Sequence, residues 1–146
     1  MPEKMTIGPS SVKLEGPLFD GKAGRQLNKA MLGVVTETTE WVEEYLLKRL
    51  RPQPAGAYKS LAAGGTSTGN YRRNINSRII PWLGQGVVSD NGVVYGAWLE
   101  GTSSRNDTTR FKGYRSFRNA RDLAETVMQR LAKSRIKNWT RKQNRE

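Results

Sequence analysis

The sequence predicts an α+β domain: a small antiparallel sheet of about four strands, packed by a long N-terminal helix and a shorter C-terminal helix. Three observations predict it. Apolar residues recur every three to five positions across 23–50, which is the period of one helix face. Between 73 and 100 the pattern shortens to alternation, and Asn91-Gly92 sits between two β-branched runs, the strongest short-range hairpin signal. After residue 113 the helical period returns.

In chain order, 10–20 (SSVKLEGPLFD) alternates Val12 and Leu14 with Lys13 and Glu15 until Gly16-Pro17 stops the pattern; it reads as a short edge strand. The helix over 23–50 carries Leu27, Met31, Val34, Thr38, Trp41, Tyr45 and Leu50 along one stripe, widened by Ala30, Val35, Val42 and Leu46. Asp20-Gly21 precedes it and Pro52 and Pro54 end it. Gly33 in its middle costs about 1 kcal/mol relative to alanine. Glu37, Glu40, Glu43 and Glu44 come before Lys48, Arg49 and Arg51, the order that the helix dipole prefers, so this face reads first as solvated. The stretch 51–70 holds two prolines and four glycines and is too long for an ordinary turn, the mark of a functional or mobile loop. Strands are expected near 73–80, 86–90 and 93–100 as an antiparallel meander. The second helix places Ala120, Leu123, Ala124, Val127, Met128 and Leu131 on one face, with Arg130, Lys133 and Arg135 in its last turn. The expected organisation is one domain over 1–135 and a basic tail over 136–146, which has few apolar anchors and is expected to be disordered.

Composition narrows the function. With 25 Lys plus Arg against 13 Asp plus Glu, the net charge is +12, which favours an anionic partner. Residues 103–146 carry 13 basic and 4 acidic side chains, nine of the twelve net charges. Cysteine and histidine are both absent, which removes disulfides, thiolate chemistry, the commonest general base and the commonest transition-metal ligand. No apolar run reaches the length of a membrane span, and the start lacks the apolar core of a signal peptide; the expectation is a chain made in the cytoplasm with no membrane partner. The glycine-rich AAGGTSTGN lacks the Gly-Lys-Ser/Thr ending of a phosphate loop, and an alternating segment rather than a helix follows it. Asp107 and Glu100 are the only acids near the loop end of the sheet, too few for an oxygen-ligand metal site. No catalytic, metal or cofactor site is expected, and the chain does not read as an enzyme.

Nucleic-acid binding is the alternative that the charge raises. Arg72, Arg73, Arg78, Arg105, Arg110, Lys112, Arg115 and Arg118 interleave with Tyr71, Phe111, Tyr114 and Phe117, groups that pair with phosphates and stack on bases. No RNA-recognition-motif signature or helix-turn-helix spacing accompanies them. A non-enzymatic, basic nucleic-acid-binding domain therefore stands beside a role in protein assembly.

The segment YGAWLEGTSSRNDTTRFKGYRSFR resembles a family of tailed phages, the minor tail or tail-completion proteins of the head-to-tail junction. The resemblance rests on Tyr95, Gly96, Trp98, Leu99, Glu100, Gly101, Ser103, Ser104, Arg105, Asn106, Thr108, Thr109, Arg110, Phe111, Lys112, Gly113 and Tyr114. Upstream, VKLEGPLFDGKA at 12–23 is similar to the family's opening strand and TGNYRRNINSRI at 68–79 to its Thr-Gly-x-Tyr segment. The resemblance implies a non-enzymatic structural protein of the virion neck or tail, forming a homo-oligomeric ring, a hexamer in expectation. It would contact adjacent neck proteins, a tail-terminator or tail-tube protein, and DNA passing through the lumen. The Ala62-Ala63-Gly64-Gly65 loop and the tail after Arg135 have no counterpart in the pattern.

The interface residues expected on this reading are Trp98, Glu100, Arg105, Asn106, Arg110, Phe111, Lys112, Tyr114, Arg115, Phe117 and Arg118, because ring interfaces favour aromatic and arginine anchors. For Trp98 and Phe117, filling the domain's own core is an equal alternative. Lys133, Arg135, Lys137, Arg141, Lys142 and Arg145 are candidate contacts to DNA or to an acidic partner.

Overall fold

The computed structural model describes residues 4–7, 21–50 and 69–144. Its elements are β1 (Lys4–Ile7), α1 (Gly21–Arg49), α2 (Asn70–Asn74), β2 (Asn76–Ile80), a 3-10 turn (Pro81–Leu83), β3 (Gln85–Ser89), α3 (Gly96–Glu100), α4 (Arg105–Thr108) and α5 (Ser116–Gln143). The described residues are mostly helical. The sheet has three strands in the order β1-β3-β2, both pairings antiparallel, with Val87 opposite Thr6 on one side and Arg78 on the other.

α1 lies across this sheet. Gly86 and Val88 point to the same side of β3, two residues apart, and both meet the helix. A Cβ on Gly86 would stand 1.8 Å from Thr39 Oγ1, so this glycine lets helix and strand approach closely. The fully buried hydroxyls of Thr38 and Thr39 are satisfied within α1, donating to the Val34 and Val35 carbonyls at 2.8 and 2.7 Å. Ser77 of β2 donates to the Glu43 carboxylate. Val42, Leu46 and Val88 then join Tyr71, Ile75, Phe117, Ala120 and Ala124 in the core.

α5 packs antiparallel along α1. Three side-chain bonds fix the direction: Arg49 Nη2 reaches the Tyr114 carbonyl at 3.5 Å, Arg135 pairs with Glu37, and Gln143 Nε2 donates to Gln26 Oε1 at 3.0 Å. Helices of 29 and 28 residues run about 43 Å, more than twice the length of the five-residue strands.

Three expectations are corrected, and two fall on residues outside those described. The sheet has three described strands, not about four. Residues 93–100 form a turn and α3 rather than a strand: Asn91 and Gly92 do adopt left-handed φ of 53° and 73°, as a tight turn requires, but Asp90 Oδ1 accepts the Gly92 N–H at 3.0 Å and Gly96 N–H bonds Val93 O at 2.8 Å. That chain of short-range bonds leads into a helix. The hairpin is instead β2–β3, closed by Pro81–Leu83 and a left-handed Gly84 with φ 59°. Residues 136–143 are the end of α5, not a disordered tail. The strand expected over 10–20 and all but the last two residues of the 51–70 loop lie outside the described residues.

Candidate functional site

The segment 96–118 is built around two glycines. α3 ends in a Schellman arrangement: Gly101 is left-handed at φ 92°, its N–H bonds Trp98 O at 3.2 Å, and Thr102 N–H bonds Ala97 O at 2.9 Å. Gly113, at φ 86°, lies directly against Gly101, where a Cβ would sit 2.3 Å from Gly101 Cα. Tyr114 N–H bonds Leu99 O at 2.7 Å beside them. The two ends of the loop therefore touch through backbone, which makes 101–113 an Ω-loop.

Asn106 holds the loop's interior. It is 3 % exposed, accepts the Ser103 N–H at 3.1 Å and donates to the carbonyls of Trp98 and Phe111 at 3.0 and 3.1 Å. The Lys112 ammonium donates to the carbonyls of Asn106 at 2.7 Å and Asp107 at 3.3 Å. Trp98, Phe111 and Tyr114 meet in series, the first pair tilted and the second edge to face, with centroid distances of 4.7 and 5.0 Å. A one-carboxylate cap joins the loop to α5: Glu100, 4 % exposed, accepts the N–H groups of Phe117 at 3.1 Å and Arg118 at 3.2 Å. These are orphan donors of the first turn, facing the positive end of the helix dipole. Arg115 precedes them at φ 52°.

The expected interface set thus divides in two. Glu100, Asn106 and Phe117 are buried and serve the domain's own structure, and Trp98, Phe111 and Tyr114 are half-buried in the aromatic cluster. Lys112 is exposed, but its ammonium bonds the loop's carbonyls. Arg105, Arg110, Arg115 and Arg118 are exposed around a loop that does not depend on them. Rigid display of guanidinium groups suits bidentate pairing with carboxylates or phosphates. Lys133, Arg135, Lys137, Arg141 and Lys142 are exposed along α5; Arg145 lies outside the described residues. No family model, curated protein or solved structure matches this chain. Among the described residues no group of three or more carboxylates is placed to hold a metal, and no helix is long and apolar enough to cross a membrane.

Sequence reasoning missed two exposed apolar surfaces. Trp82 is 82 % exposed beside Leu83 at the β2–β3 tip, and Val94 is 98 % exposed beside Tyr95. The latter pair follows the opposite end of β3, near Tyr71, whose ring centroid is 6.2 Å from that of Tyr95. A signal was present: Pro81-Trp82-Leu83-Gly84 stands between two strands as a turn, where a large apolar pair has no core to enter.

Proposed function

We propose that this chain is a structural subunit of a tailed-phage virion, a neck or tail-completion protein whose copies form a ring joining the capsid connector to the tail. The observation that carries the self-association is the position of the two apolar surfaces. Trp82 and Leu83 lie at one end of the β2–β3 hairpin, and Val94 and Tyr95 at the other. Surfaces at opposite ends of one subunit meet head to tail, and a head-to-tail contact that closes gives a ring. The exposed arginines of the 101–118 segment would then anchor neighbours in the adjoining neck and tail rings, and the ordered motif from Tyr95 to Tyr114 supports the phage setting. Six copies and DNA in the lumen belong to the same proposal.

Protein composition of purified particles tests it: the chain should be present in stoichiometric amount, and its absence from intact particles would sink the reading. A finer test uses Trp82→Ser and Val94→Ser. Each alone should fail to complete the ring, leaving particles without joined tails, while both variants remain folded.

A further inference from the structure

We propose that the solvent face of α5 binds the phosphate backbone of a nucleic-acid duplex, through the row Arg130, Lys133, Lys137 and Arg141. This does not depend on ring assembly. The spacing of three, four and four residues puts these four side chains on one line along the helix, and all four are exposed.

The direction of the row follows from what α5 does on its other side. Met128 packs against the core, Arg135 meets Glu37 of α1, and Gln143 meets Gln26 about two turns further on; helical spacing puts the half-buried Leu131 and Trp139 on that same face. Each basic residue of the row lies two positions after a member of that face: 128 to 130, 131 to 133, 135 to 137, 139 to 141. At 3.6 residues per turn, two positions are about 200°, so the row points directly away from α1.

Two features select the partner. From Thr126 to Asn144 there are six basic side chains and no acidic one, and the exposed residues flanking the row are mostly polar, Thr126, Ser134, Thr140 and Asn144, with Ile136 and, one turn before Thr126, Leu123 as the apolar ones. Hydroxyl and amide donors beside Lys and Arg are the groups that contact phosphate oxygens. This row includes no aromatic side chain, since Trp139 is half-buried on the α1 side. Protein interfaces are enriched in aromatic anchors, and a single strand would need stacking platforms. A duplex backbone needs neither. The row spans about 16 Å, a length over which a B-form duplex presents about nine phosphates.

The test is a fluorescence-anisotropy titration of the full chain with a short random-sequence DNA duplex at several salt concentrations. The variants are the fourfold Arg130→Gln/Lys133→Gln/Lys137→Gln/Arg141→Gln and, as a control elsewhere, Arg105→Gln/Arg110→Gln. Glutamine keeps the helix propensity, and circular dichroism checks that both variants fold. The row should account for most of the binding: the fourfold variant loses at least about tenfold in affinity, and its log K against log salt slope becomes shallower by about three to four. The loop variant should change less than about twofold. The proposal is overturned if the fourfold variant binds as the parent does, if the loop variant carries the loss, or if the single strand binds more tightly than the duplex. Equal competition by polyglutamate at matched charge would assign the row to an acidic protein instead. Particle composition is unaffected by any of these outcomes, so the two proposals fail separately.

Discussion

α1 and α5 are nearly equal in length and lie side by side, yet they are buried very differently. α1 has buried residues from Leu27 to Leu46, while those of α5 are confined to Ser116, Phe117, Ala120 and Ala124. The reason is their place in the layers. The second half of α1 is held between the sheet and α5, whereas α5 is an outer helix whose first turns alone reach the common core. Burial on a helix therefore reports how many neighbours surround it, and the same periodic pattern can serve a core helix and a surface helix.

That contrast sets the expected order of mutational effects. Leu46→Ala, at a fully buried site on α1, should cost about 2–5 kcal/mol in urea unfolding; a loss under about 1 kcal/mol would mean that α1 is not the central layer. At the start of α5, Glu100→Ala removes two charge-assisted bonds to first-turn backbone N–H groups and should cost about 1.5–3 kcal/mol, with Glu100→Gln retaining part of it. Gly113→Ala forces a side chain into a left-handed position against the Gly101 backbone, at about 1–3 kcal/mol. Its signature would be faster amide exchange within 101–113 rather than global unfolding. Further along α5, Leu131→Ala on the half-buried face should cost only about 1 kcal/mol. Smallest of all, Lys137→Gln should leave the melting midpoint within the range of an ordinary surface change, about 0.5 kcal/mol, while still weakening duplex binding.

Both long helices were legible in the sequence because an apolar stripe at a period of 3.6 has few competing explanations. The end of α5 was not, since beyond Leu131 the stripe thins to Arg135, Trp139 and Gln143, whose partners Glu37 and Gln26 lie about a hundred positions earlier. The absence of any glycine or proline after Gly113 was the available sign that the helix continues. Asn91-Gly92 announced a turn correctly but could not say what followed it; Asp90 and Gly96 decided that locally, through a carboxylate so close to Gly96 that a Cβ there would stand 2.0 Å from Asp90 Oδ2. β1 is four residues long, too short for a pattern to register. In the candidate site, the glycines bounding the 101–113 loop were visible as turn residues, but that they touch each other was not. The internal work of Glu100 and Asn106 was hidden for the same reason: a polar side chain reads as surface until its backbone partners are placed around it.

The contact between Gly101 and Gly113 makes the residues between them a cassette. Chain enters and leaves at nearly one point, so a loop of different length or charge could be grafted between the same two glycines without moving α3, the Glu100 cap or α5. Selection on a new neighbour could therefore rewrite the outer surface of this segment, Arg105 and Arg110 included, while the scaffold that holds it stayed unchanged.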